Sequence, residues 1–155
     1  MISVKGLYET HLTVSDLNRS IDFYRDVVGL ELAHIIEERN VAFLWIGGRE
    51  KSMLGLWSIQ SSPMRMRLHI AFHTTLDQVV EAPAYLRSKG IVPRSGGGER
   101  EIHEPIVFPW MPAASVYFDD PDGHSLEYIA ILPGESRPEI PGIMAFSEWN
   151  RLVKD

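Results

Sequence analysis

Two strand-sized runs, each with a histidine at its middle, lie 58 residues apart and introduce the same succession of elements. His11-Leu12-Thr13-Val14 leads into a helical stretch, then Gly29 and an apolar strand. His69-Ile70-Ala71-Phe72 leads into a second helical stretch, then Gly90 and Ile91-Val92. Each unit therefore fills about 60 to 70 residues, and 155 residues suffice for two such units and a tail. In the first unit Ser15 or Asp16 can cap the helix, and Leu17, Ile21, Tyr24 and Val28 recur at helical spacing. Strands are expected over Leu30–Glu37, Val41–Ile46 and Met53–Ile59. In the second unit Pro83 argues against a long helix, so a short one over Pro83–Lys89 is expected. The glycine-rich run Arg94–Arg100 reads as a mobile loop. Ala114–Asp119 and His124–Leu132 read as a hairpin around Asp120-Pro121-Asp122-Gly123.

Strand, helix and three strands, taken twice, predict an α+β protein of two tandem βαβββ modules. The modules cover about residues 5–60 and 66–132 of a domain at 1–132, and form a cupped mixed sheet. A proline-rich extension, 133–155, ends in a short amphipathic helix over Ile143–Lys154, whose Phe146 and Trp149 should dock on the body or on a second subunit.

Charge and composition remove several classes of function. A formal net charge of −6 opposes nucleic-acid binding, and no apolar run is long enough to span a bilayer. The absence of cysteine leaves only nitrogen and oxygen ligands for any metal. Met1–Lys5 shows no basic region followed by an apolar stretch, so the cytoplasm is the expected location.

Side chains alternate across a strand. Glu9, His11 and Thr13 share one face of the first strand; His69, Ala71 and His73 share one face of the fifth. Ser125, Glu127 and Ile129 do so in the last, and in each case the opposite face is the more apolar. Two imidazoles and a carboxylate, His11, His69 and Glu127, are a donor set that holds a divalent ion while leaving positions open.

Thr10-His11-Leu12-Thr13-Val14-Ser15-Asp16-Leu17, running on to Val28-Gly29-Leu30, resembles the opening of the vicinal oxygen chelate superfamily. Its members include lactoylglutathione lyases, fosfomycin-resistance thiol transferases, extradiol dioxygenases and bleomycin-binding proteins. His69-Ile70-Ala71-Phe72 resembles the start of the family's second repeat, and Tyr117-Phe118-Asp119-Asp120-Pro121-Asp122-Gly123-His124-Ser125-Leu126-Glu127 its closing hairpin. The resemblance spans residues 5 to 131. It implies a metal at His11, His69 and Glu127, a small oxygenated substrate, and a homodimer with sites built from both subunits.

Within the superfamily, Gly55 stands where lactoylglutathione lyases carry a further Glu, which removes a ligand and a base. Tyr117, ten residues before Glu127, meets part of the extradiol dioxygenase signature, but Phe108, Pro109 and Trp110 stand where its histidine is expected. Thr13, Tyr117 and the Asp-Gly-His-Ser-Leu-Glu ending resemble the thiol transferases, whose phosphonate-binding cations are matched only loosely by Arg94 and Arg137. The expectation is an enzyme with one Mn, Fe, Ni or Zn ion. Thr13 and Tyr117 would supply hydroxyls, His73 or Glu9 a base, and Trp57 beside Gly55 an aromatic wall. The alternative is a non-enzymatic antibiotic-binding protein of the bleomycin-resistance type.

Overall fold

Apolar and polar residues alternate along the strands, so each sheet has one face for its helix and one left for chemistry. In the computed structural model, which describes residues 6–58, 67–96 and 101–153, β1 (Glu9–Val14) buries Leu12 and Val14 and turns Glu9, His11 and Thr13 to the other face. Next comes α1 (Leu17–Asp26), capped by Asp16, whose carboxylate accepts the Arg19 backbone N–H at 3.0 Å. It lays Leu17, Ser20, Ile21 and Tyr24 inward. Gly29, at φ +83°, turns the chain in a conformation that side chains resist, and β2 (Glu31–Ile36) begins just beyond it.

A 3-10 turn at Glu37–Arg39 joins β2 to β3 (Val41–Ile46), and β4 (Ser52–Ser58) completes a sheet in the order β1-β4-β3-β2. β1 runs parallel to β4, and the other pairs are antiparallel. The expected strand Met53–Ile59 is thus found over Ser52–Ser58, with Ile59 outside the described residues. Leu54 and Leu56 of β4 are fully buried with Leu12, Val14 and Leu44, at about 1.5–3 kcal/mol of transfer free energy each.

The second sheet follows the same order and adds one strand. β5 (His69–His73) leads to α2 (Leu76–Ser88), then to β6 (Ile106–Phe108), β7 (Ala113–Asp119) and β8 (Ser125–Ile131), arranged β5-β8-β7-β6 with β9 (Met144–Ala145) on the edge. The parallel pair is again the first strand of the unit with its last, here β5 with β8.

Three expectations for this unit need correction. α2 is not a short helix starting at Pro83: it starts at Leu76, capped by Thr75 in a reciprocal box with Gln78. Pro83 lies inside it and is buried, along with Val79, Ala82 and Leu86, so burial and a strong cap outweigh the lost backbone bond. Ile91-Val92 is not a strand; the strand after the helix is Ile106–Phe108. Nor is Arg94–Gly96 a loose loop. The Arg94 N–H donates to the Tyr117 carbonyl at 2.6 Å and the Tyr117 N–H to the Arg94 carbonyl at 3.1 Å, while residues 97–100 lie outside the described part.

The tail docks as expected, and on the second unit. β9 pairs with β6, α3 (Phe146–Leu152) buries Trp149 to 2% exposure, and the Ser147 N–H donates to Glu104 at 2.8 Å. By contacts the chain divides into Met1–Leu68 with Asp120–Gly123, and His69–Asp119 with His124–Asp155. Among the described residues no helix is long and apolar enough to cross a membrane.

Candidate metal centre

In the first unit, register sets His11 beside Gly55 and Thr13 beside Trp57, all on the face turned away from α1. Gly55 is what lets the imidazole lie flat against the sheet. A Cβ there would stand 3.0 Å from His11 Nδ1 and 3.1 Å from Cε1, closer than side chains normally pack. The ring meets the edge of Phe43 with centroids 6.0 Å apart, and the Trp57 indole at 5.6 Å. Trp57 Nε1–H donates to His11 Nδ1, and indole nitrogen can only donate. A neutral His11 therefore carries its proton on Nε2, which donates to Glu9 Oε1 at 2.8 Å. Arg39 lies over the far part of this wall, with its guanidinium carbon 4.9 Å from the Trp57 ring centroid.

The second unit handles its histidine differently. His69 Nδ1–H donates to the Ser125 carbonyl at 3.0 Å, because a carbonyl can only accept. In the neutral ring that leaves the lone pair on Nε2, which lies 3.2 Å from Glu127 Oε2; a doubly protonated ring would donate to that oxygen. Glu127 is 3% exposed, and its Oε1 has no hydrogen-bond partner. Tyr117, opposite Glu127 in register, stacks on the His69 ring at 5.6 Å and 24°. Burial first, then the Glu127 charge and a hydrogen bond to it, push the Tyr117 hydroxyl well above the ordinary phenol range, so it remains a neutral donor.

The structure thus brings His11 together with Glu9, Trp57 and Gly55, and His69 together with Glu127 and Tyr117. Among the described residues it gathers no group of three or more His, Asp and Glu into one metal-binding cluster. Thr13 and His73 lie on the expected strand faces and are exposed. Arg94 is not a free cation for substrate, since it pairs with Asp119 at 2.5 Å.

Gly96 was hidden from sequence reasoning. A Cβ there would stand 2.8 Å from a Tyr117 ring carbon, so this glycine, buried in a run that reads as flexible, makes the space for the tyrosine. Arg39 and Phe43 were also missed, because only the β3–β4 register, with Phe43 opposite Gly55, and the turn at Glu37–Arg39 carry them to His11 and Trp57. No sequence signal marks either.

The donor chemistry fits a divalent ion. Two donors bound at right angles to one ion, each at about 2.1 Å, stand about 3 Å apart, close to the Nε2-to-carboxylate separation in both pairs. The unpartnered Glu127 Oε1 is the kind of buried oxygen that an ion would satisfy.

Comparisons with known proteins agree in placing the chain. It is 30% identical over 125 residues to the metallothiol transferase FosB of Staphylococcus haemolyticus, covering 80% of this chain and 82% of that protein. It is 32% identical over 133 residues to the lactoylglutathione lyase of Salmonella typhimurium, covering 79% and 90%. Among solved structures, an integron cassette protein from the mobile metagenome of the Halifax Harbour sewage outfall superposes with a TM-score of 0.68 at 30% identity, over 83% of this chain and all of that one. Residues 6–128 match the Glyoxalase/Bleomycin resistance protein/Dioxygenase superfamily, and the chain belongs to that family.

Proposed function

We propose that the chain is a metal-dependent enzyme of this superfamily that binds neighbouring oxygens of a small substrate. His11, His69 and Glu127 hold one divalent ion, Mn, Fe, Ni or Zn, in a homodimer. One observation carries this reading: the Glu127 carboxyl is buried with Oε1 unpartnered, and its Oε2 lies 3.2 Å from His69 Nε2. An unsatisfied buried polar oxygen costs about 1–3 kcal/mol, which a bound cation offsets.

Bound there, the ion supplies Lewis-acid stabilisation of negative charge developing on a substrate oxygen. The protein's own groups do the rest. Tyr117 keeps its proton and donates to substrate, Thr13 offers a second hydroxyl, and Trp57 with Phe43 walls the first strand face against water. Glu9 and His73 are the proton-accepting candidates.

Thiol transfer or dioxygenation is favoured over lactoylglutathione lyase activity. Similarity alone does not separate these reactions, since the metallothiol transferase and the lyase are matched at 30% and 32% identity. Gly55 supports the preference. A larger side chain there would strike the His11 ring, so the lyase carboxylate cannot be restored at that position without displacing His11.

Metal analysis of purified protein, repeated on His69→Ala, tests the proposal. About one divalent ion per chain, lost in the variant, is expected. A protein without affinity for Mn, Fe, Ni or Zn ions is instead a binding protein of the antibiotic-sequestering kind.

A further inference from the structure

We infer that Glu9 is a fourth metal ligand, supplied by β1 in place of the carboxylate that Gly55 excludes from β4. The inference rests on the reading of His11 as a ligand and adds to it a residue otherwise available only as a base. Four observations support it.

First, alternation along β1 puts Glu9 on the same face as His11, and its Oε1 lies 2.8 Å from the outward nitrogen, Nε2. Nε2 is the nitrogen turned away from Trp57; it gains a lone pair for an ion once the indole releases Nδ1, and Glu9 is the carboxylate beside it. Second, the same relation recurs in the other unit, where Nε2 of His69 lies 3.2 Å from Glu127 Oε2. Each repeat thus carries one imidazole nitrogen and one carboxylate oxygen at the separation of adjacent ligands on one ion.

Third, β1 and β4 are parallel neighbours, with His11 opposite Gly55 and Glu9 opposite Met53. A carboxylate on β1 two residues before His11 lies diagonally across from position 55, so it reaches the neighbourhood that a β4 carboxylate would fill, without crossing the imidazole. Fourth, three acids elsewhere in the chain, Glu31, Asp22 and Glu101, each meet an arginine. Among the described residues, Glu9 meets only the His11 ring.

A ligand and a mere hydrogen-bond partner of His11 respond differently to Glu9→Gln. The amide oxygen still accepts from the His11 N–H but is a much poorer metal donor. Full-length wild type, Glu9→Gln and His69→Ala are titrated with Mn²⁺ by calorimetry and with Co²⁺ by visible absorption, and metal-free melting curves check the fold. The expected result for Glu9→Gln is an unchanged metal-free melt, a loss of Mn²⁺ affinity of about tenfold or more, and a Co²⁺ spectrum altered in position and intensity. An unchanged affinity, or a weaker one with an unaltered Co²⁺ spectrum, overturns Glu9 as a ligand. If His69→Ala still abolishes binding in that case, the three-residue centre stands without it. If wild type binds neither ion, the centre and the fourth ligand fall together.

Discussion

The two repeats treat the same pair of groups in opposite ways. In the second unit the backbone carbonyl of Ser125 holds His69 in the tautomer a metal needs, and Glu127 waits buried beside it. In the first unit the Trp57 indole holds His11 in the other tautomer, with the proton on Nε2 and Glu9 partly exposed. One half is preset and the other is latched. On the proposed reading, ion binding through His11 Nε2 requires the indole to release Nδ1, whereas the neutral His69 ring already has its lone pair on Nε2. Each half also depends on a glycine: Gly55 lies under the His11 ring and Gly96 against the Tyr117 ring.

The largest effect should come from the preset half. His69→Ala should lower metal affinity by more than about 100-fold, beyond the 10–100-fold typical of residues that only support a ligand. Calorimetry measures it, and a smaller loss would place the ion elsewhere. Glu127→Gln should abolish binding comparably while leaving the metal-free protein at least as stable as wild type, because it removes a buried carboxylate whose Oε1 lacks a partner. A metal-free variant less stable by about 2 kcal/mol in urea would instead show that the carboxylate has a structural role.

Whether the halves belong to one chain or two is open to a mixing experiment. Differently tagged His11→Ala and His69→Ala chains, co-expressed and purified as the mixed dimer, should recover about one ion per two chains. Recovery means that His11 of one protomer acts with His69 and Glu127 of the partner subunit; no recovery assigns each centre to a single chain.

The glycines should also differ. Gly96→Ala should cost about 1–3 kcal/mol, since the Tyr117 ring packs closely on Gly96 and also stacks on His69. Gly55→Ala should cost less than that, because His11 is exposed and can shift, while still weakening metal binding. Denaturant titration beside calorimetry reads both, and equal stability losses would contradict the comparison.

Smaller still is the latch itself. Trp57→Phe removes the donor to Nδ1 and should raise metal affinity roughly three- to tenfold, about 1 kcal/mol. Lower affinity would make the indole a support rather than a latch.

Away from the centre, Asp122 accepts from the Ser15 N–H at 3.1 Å and from Arg19 at 3.1 Å. Burial raises its pKa, but the Ser15 and Arg19 contacts outweigh that and hold it below the ordinary value. Its contribution is therefore present above the unfolded-state pKa near 3.9 and is lost as pH falls through the lower folded-state value. Asp122→Asn should cost about 1 kcal/mol at pH 7 and progressively less below about pH 4.

Much of the candidate site's strand geometry was legible because strand parity is rigid. A period of two puts Glu9 with His11 and leaves Leu12 and Val14 for the helix, whatever else the chain does. The hairpin at Asp120–Gly123 was legible for a similar reason, since its turn needs Gly123 at φ +86°. The helix over Leu76–Ser88 was not: a local rule against internal proline met a cap and a buried face whose energies depend on packing. Gly96 was illegible because nothing in a glycine run reports which ring will press against it.

The sequence by itself determined the repeat, the strand faces, the donor types and the absence of thiolate chemistry, all of which follow from local geometry and composition. Only the tertiary structure decided which nitrogen of each histidine faces outward. That depends on a Trp57 indole 46 residues from His11 and a Ser125 carbonyl 56 residues from His69, and hydrogen bonds over such separations exist only once strand register is set.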